Sequence, residues 1–223
     1  MSKIPKKQTN YVVTRQHLKN IRDNITVTLL DKTNPLWDYM REQIYMNSLA
    51  SGTLCAQRQV SGKILPQSIQ PSYIKWSLGL DLKSKPIAHI KAIIVAIVNN
   101  IVIGFYTLHA NNKKILKLDA GCVDLNRRGK HYGLINAKLS KVLNNYAISQ
   151  RYQILALQGL PDAESSWIRQ GFQRVDEKNL LNYTQSKSKF DKNKQKEKIN
   201  AYSKNIGHCE NERNGCWMFK EIM

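Results

Sequence analysis

The sequence predicts a mixed α/β domain, a mostly antiparallel central sheet flanked by helices, and three observations predict it. Residues 92–123 hold three apolar runs separated by Asn-Asn pairs at 99–100 and 111–112. Asn tolerates the left-handed conformation that tight turns demand, so the runs read as a three-strand meander. The third run passes through a short basic turn, RRGKHYG, straight into LINAKLSKVLNNYAIS, whose Ile135, Leu139, Val142, Leu143 and Tyr146 share one helical face. Near the end, CWMFKEIM has the alternation and bulk of a closing strand.

The elements follow in order. Residues 1–23 form a basic arm in which Lys3, Lys6, Lys7, Arg15, Lys19 and Arg22 precede the first acid, Asp23. A single domain is expected over 24–223, since a chain of 223 residues can bury a real core. Ile25, Val27 and Leu29 alternate with threonines and give a first strand. Thr33 or Asn34 before Pro35 marks a helix start, because proline's missing N–H costs nothing in the first turn. That helix should bury Leu36, Met40, Ile44 and Leu49 and stop at Gly52. Residues 53–90 hold Pro66, Pro71 and Pro86 and no sustained period. Strands at 92–98, 101–109 and 114–123 follow, then the helix at 133–149 and a short strand at 153–158. A helix over Ala163–Gln170 is capped by Asp162 and ended by Gly171. Residues 177–215 are polar, with seven lysines from Lys187 to Lys204, and read as an exposed insertion. The final strand should lie beside 153–158.

Composition narrows the partners. A net charge of +19 and a pI near 9.8 favour anionic ones: nucleic acid, coenzyme phosphates or an acidic protein face. A coding bias toward Lys, Asn and Ile is the competing source of part of that charge. No apolar run approaches the ~20 residues of a membrane-spanning helix, so no membrane partner is expected. The basic N-terminus lacks the apolar core of a signal peptide, and a cytoplasmic location is the expectation. Cys55, Cys122, Cys209 and Cys216 are scattered, and reduced thiols are the simplest expectation. His208, Cys209 and Cys216 lack metal-ligand spacing, so no metal is expected. Nothing here indicates an oligomeric state.

The turn between the third strand and the long helix carries the chemistry. The first N–H groups of that helix lack partners within it and point at the turn. With the helix dipole and Arg127, Arg128 and Lys130 they make a pyrophosphate seat. Gly129 and Gly133 permit close backbone approach. The competing reading is an ordinary β-turn-α with a basic turn.

The stretch VDLNRRGKHYG resembles the acyl-coenzyme A binding motif of the GNAT superfamily of acetyltransferases, in which a valine and a few turn residues precede Arg/Gln-x-x-Gly-x-Gly/Ala. Val123 takes the valine position, Arg128 the Arg/Gln position and Gly133 the last position, while His131 stands where the middle glycine is usual. Ser-Trp-Ile-Arg-Gln-Gly-Phe resembles a second signature of that family; Gly171 and Phe172 match it, and Trp167 stands where most members carry tyrosine. A phenol can protonate a departing thiolate, and an indole cannot at neutral pH.

The resemblance implies acetyl-CoA as acyl donor, splayed strands forming its cleft, and direct attack of an acceptor amine on the thioester. Backbone at Val123 and Leu125 would pair with the pantetheine arm. Arg127, Arg128, Gly129, Lys130, His131, Tyr132 and Gly133 would hold the pyrophosphate. It makes 53–90 the substrate-side segment, where Tyr73 and Trp76 line a pocket or else anchor the core. Asp119 is the candidate base: an acid in an apolar strand, on the same face as Val123, with a pKa raised by desolvation. Its alternatives are facing solvent or pairing with Lys117 or His109. Trp167 marks the acid position, with Tyr132, Tyr183 and Tyr202 as substitutes. Two rival functions stay open: a transferase of this fold acting on a nucleic-acid base, and a module that binds coenzyme A or nucleic acid without catalysis.

Overall fold

A computed structural model describes residues 24–51, 53–58, 64–67, 71–81, 90–110, 113–124, 133–159, 163–174 and 216–222. The basic arm at 1–23, the Asn111-Asn112 turn and the lysine-rich stretch at 177–215 lie outside them. The elements are β1 (Thr26–Leu30), α1 (Trp37–Ser51), β2 (Ala56–Arg58), β3 (Ile64–Gln67), α2 (Pro71–Ser77), β4 (Ile90–Val98), β5 (Ile101–His109), β6 (Ile115–Val123), α3 (Gly133–Ser149), β7 (Ile154–Gly159), α4 (Glu164–Arg169), β8 (Gln173–Arg174) and β9 (Cys216–Glu221).

Seven strands form one sheet in the order β1-β4-β5-β6-β7-β9-β8, while β2 and β3 pair separately. Every pairing in the large sheet is antiparallel except β6 with β7. The expected meander is present, and Asn99 and Asn100 (φ 48° and 62°) make its first turn. Both residues being left-handed suits the right-handed strand twist of a two-residue hairpin.

The helices divide the core in two. On one face of the sheet α3 inserts Ile135, Leu139, Leu143 and Ala147, all essentially buried, against Ile103, Tyr106, Leu108, Leu116 and Leu118. Gly104 permits this approach, since a Cβ there would meet Ile135 and Leu139 side-chain carbons at 3.2 and 3.3 Å. On the other face α1 and α2 pack Trp37, Met40, Ile44, Ile74 and Leu78 against Ile93, Val95, Phe105, Ala120 and Cys122.

Helix ends follow local chemistry. Asn34 Oδ1 accepts from the Leu36 N–H (2.9 Å) ahead of α1. The buried stripe of α1 is Trp37, Met40, Arg41, Ile44 and Ser48, whereas Leu36 and Leu49, expected inside, are exposed. The 3–4 spacing counted from Trp37 passes between those two leucines. At α4 the cap position falls on Ala163 without a side-chain bond, one residue past the expected Asp162, which lies outside the described residues. Its far end is a Schellman motif: the Phe172 N–H reaches the Trp167 carbonyl (3.1 Å), the Gly171 N–H reaches Ile168 (2.9 Å), and Gly171 takes φ 88°. The Phe172 and Trp167 rings meet edge-on, with centroids 5.5 Å apart, and seal that turn.

One expectation is overturned here. Cys55 and Cys122 are joined in a disulfide with Cα atoms 4.8 Å apart, and both are buried. The turn after α1 brings Cys55 across the sheet face onto β6, a juxtaposition that a separation of 67 residues conceals in the sequence. Closing a loop of that length restricts the unfolded chain by about 4 kcal/mol on the chain-entropy relation. Urea unfolding in dithiothreitol should therefore show a lower midpoint than under oxidising conditions, with the extrapolated unfolding free energy reduced by about 4 kcal/mol.

Candidate active site

The site grows from an irregularity in β6. Thr107 pairs with Ala120 and Leu108 with Leu118, so Asp119 is one residue too many for the ladder, a β-bulge. The bulge reverses the strand's facing. Leu118 belongs to the α3 core, while Ala120, two residues on, belongs to the α1/α2 core. Asp119 therefore turns toward α2, and Val123 packs on the α3 side. The expectation that the two share a face fails, because simple alternation does not survive an inserted residue.

Helix α2 is fixed to meet Asp119. Its last turn closes with the Leu80 N–H on Lys75 O (3.0 Å) and the Gly79 N–H on Trp76 O (2.9 Å), and Gly79 takes φ 64°. Ile74, Ser77 and Leu78 are completely buried. Arg41 of α1 donates to the Gly79 carbonyl (3.4 Å) and lies over the Trp37 ring (5.6 Å), tying the two helices together.

Four side chains then converge. The Tyr73 hydroxyl donates to Asp119 Oδ1 at 3.0 Å. His109 Nε2 lies 3.8 Å from Asp119 Oδ2 and 3.1 Å from the Ser77 carbonyl. A carbonyl only accepts, so that nitrogen carries its proton. Trp76 stacks on His109 (6.0 Å, 24°) and tilts against Tyr73 (5.4 Å, 36°). Burial holds the Asp119 carboxyl above the ordinary aspartate range, opposed by His109, the Tyr73 hydrogen bond and Lys117. Burial also depresses Lys117, which Asp119 opposes, and the Lys117 ammonium sits 5.0 Å from the Trp217 ring centre.

Beside this group the sheet opens. β6 and β7 pair from Ile115↔Ile154 to Leu118↔Leu157, and the pairing ends there although β6 runs to Val123 and β7 to Gly159. Val123 faces Gly104 across β5, and the flanking bond from the Asp124 N–H to Ile103 O (2.9 Å) makes this a non-hydrogen-bonded pair. The N–H and C=O of Val123 accordingly point away from β5, toward the side from which β7 has diverged.

The structure thus brings Asp119, Tyr73 and Trp76 together and adds His109, which the sequence offered only as a possible partner of Asp119. A lone histidine closing an apolar strand was its one visible signal. Trp167 stands apart: it is buried on the α3 side, between the Tyr106 and Phe172 rings. Near it the Tyr106 hydroxyl donates to Asn136, which donates to Ser166 (3.2 Å). Gly133 opens α3. Leu125, Arg127, Arg128, Gly129, Lys130, His131 and Tyr132 lie outside the described residues. Among those residues no group of His, Cys, Asp or Glu is placed to hold a metal ion, and no helix is long and apolar enough to cross a membrane.

A sheet that splays beside a bulged strand feeding a long helix is the GNAT architecture, and this chain has a GNAT-like fold. The chain superposes on GCN5 of Tetrahymena with a TM-score of 0.54 at 13% identity, covering 89% of this chain and 96% of that one. An acetyltransferase from Streptococcus agalactiae gives 0.52 at 12% identity, over 89% and 98%. A GNAT-family structure from Desulfovibrio desulfuricans gives 0.51 at 9%, over 89% and 100%. No family model and no curated protein matches the sequence.

A raised carboxyl carries a stability signature. Its ionisation is harder in the folded chain, so the stability tied to Asp119 is full below the ordinary aspartate range and is lost as pH rises through the raised value. Asparagine carries no such charge and still accepts from Tyr73. Asp119→Asn should melt with wild type near pH 4 and above it by a growing margin toward pH 8, as read by calorimetry.

Proposed function

We propose that the protein is an acyltransferase moving an acetyl group from acetyl-CoA to an acceptor amine by direct attack on the thioester. The observation that carries this reading is the parting of β6 and β7 immediately beyond Leu118↔Leu157, with the Asp119 carboxyl at the point of divergence. The gap turns backbone of β6 to the side from which β7 has diverged, and a pantetheine arm is an amide chain of the kind that pairs with strand backbone. Val123 and Leu125 would make that pairing, and the seat from Arg127 through Lys130, His131, Tyr132 and Gly133 would hold the pyrophosphate. The group supplied by acetyl-CoA is an activated carbonyl; the chain's part is positioning, support of the oxyanion by backbone N–H near Val123, and handling of the amine proton.

Asp119 is the base in this scheme. Its burial, which raises its affinity for a proton, suits a group that must accept one near neutrality. Tyr73 and Trp76 flank it as the acceptor's wall. The acceptor is a primary amine of a protein, a small molecule or, on the second reading, a nucleic-acid base; the net charge of +19 is the observation favouring the last.

Acetyl-CoA should raise the melting temperature by several degrees at saturation, with no effect from NAD or ATP. Arg128→Glu should abolish that shift. Asp119→Asn should keep the shift but lower kcat about 10²-fold or more, as read by release of coenzyme A thiol with a panel of primary amines. In wild type, kcat/KM should climb with pH along a limb lying above the ordinary aspartate range. A salt-sensitive gel shift with DNA or RNA would move the assignment to a nucleic-acid acceptor.

A further inference from the structure

The carboxyl of Asp119 is not the atom that an acceptor meets first. Its Oδ2 is buried and accepts no hydrogen bond among the described residues, and its Oδ1 lies behind the Tyr73 hydroxyl at 3.0 Å. The Asp119 side chain is only 19% exposed, whereas Tyr73 is an exposed residue. The more exposed partner of the pair is a phenol that already donates to that base. We propose that Tyr73 is a further catalytic residue, a relay through which the acceptor's proton reaches Asp119. The inference rests on the acyltransferase reading and specifies how its base is reached.

The surroundings hold the phenol to this task. Trp76 packs against the Tyr73 ring, and α2 is locked by its buried Ile74, Ser77 and Leu78. The alternative carrier, His109, has its Nε2 proton directed at the Ser77 carbonyl and its ring under Trp76. It therefore serves as a fixed dipole beside Oδ2. Burial and the nearby Asp119 raise the pKa of Tyr73, so a phenolate does not accumulate and the two transfers must be concerted. As the amine nitrogen bonds to the thioester carbonyl, its N–H proton passes to Tyr73 Oη while the Oη–H proton passes to Asp119 Oδ1. The C–S bond then breaks, the thiolate takes a proton from water, and Asp119 returns its proton to solvent. Tyr73 ends as it began. Among the described residues, the titratable groups facing the pair are His109 from β5 and Lys117 from β6.

The test compares wild type, Tyr73→Phe and Asp119→Asn with acetyl-CoA and the fastest of a panel of primary amines (alkylamines, aminosugars, a lysine peptide). Phenylalanine keeps the ring contact with Trp76 and lacks the hydroxyl. Tyr73→Phe should lower kcat about 10²-fold with the KM for acetyl-CoA and the acetyl-CoA melting shift unchanged. Its acid limb should move to higher pH, because the hydrogen bond that lowers the Asp119 pKa is gone. In mixtures of H2O and D2O the wild-type rate should curve, as two protons in flight require, and the Tyr73→Phe rate should fall linearly. Wild-type turnover with Tyr73→Phe within twofold of it, or a linear wild-type dependence, overturns the relay alone. A wild type that neither releases thiol nor is stabilised by acetyl-CoA overturns the transferase reading, and the relay with it.

Discussion

One surplus residue in a strand governs this molecule. With Asp119 inserted opposite the Thr107–Leu108 step, β6 changes which core each of its side chains serves. Before the bulge Leu116 and Leu118 bind the sheet to α3; after it Ala120 and Cys122 bind it to α1 and α2. A bulge also bends its strand and sharpens the local twist. The parallel pairing with β7 stops at the residue before it, so bulge and opening occupy the same place. A carboxyl there loses water without gaining a full set of donors. The fold tolerates the cost because the apolar ladders on both sides are deep.

Two further irregularities belong to the same design. Lys91 in β4 and Ile103 in β5 are also surplus in their ladders. The Ile103 carbonyl receives the Asp124 N–H at the far end of β6, which sets the outward direction of the Val123 backbone. Gly104, next to Ile103, lets α3 lie close over that strand. The sheet is thus bent three times in its middle strands, and the helix that leaves the basic turn is pressed onto the bent region.

Much of this was readable in the residues. The Asn99-Asn100 hairpin, the inward face of α3, the stop at Gly171 and the pairing of the last strand with β7 follow from turn chemistry and periodicity. The bulge was not readable, because Leu116, Leu118, Ala120 and Cys122 keep an unbroken period of two straight through it, and such a pattern reads as one face of a regular strand. The Cys55–Cys122 bond was hidden for another reason: contact order is invisible to local patterns. β2, β3 and β8 are short, and their sequences carry little alternation. Tyr73 and Trp76 are aromatics in an otherwise unpatterned segment, and only the three-dimensional structure places them against Asp119 and His109.

The covalent connectivity of the chain has a mechanical corollary. The sulfur bridge closes a ring that contains β2, β3, α2, β4, β5 and nearly all of β6, whereas β1 and α1 lead into it and α3, β7 and β9 belong to the tail that leaves it. One bank of the opening is therefore laced to itself, and the opposite bank is attached through the four-residue ladder of β6 with β7 and through apolar packing. Strain applied across the sheet would separate tail from ring before it deformed the ring.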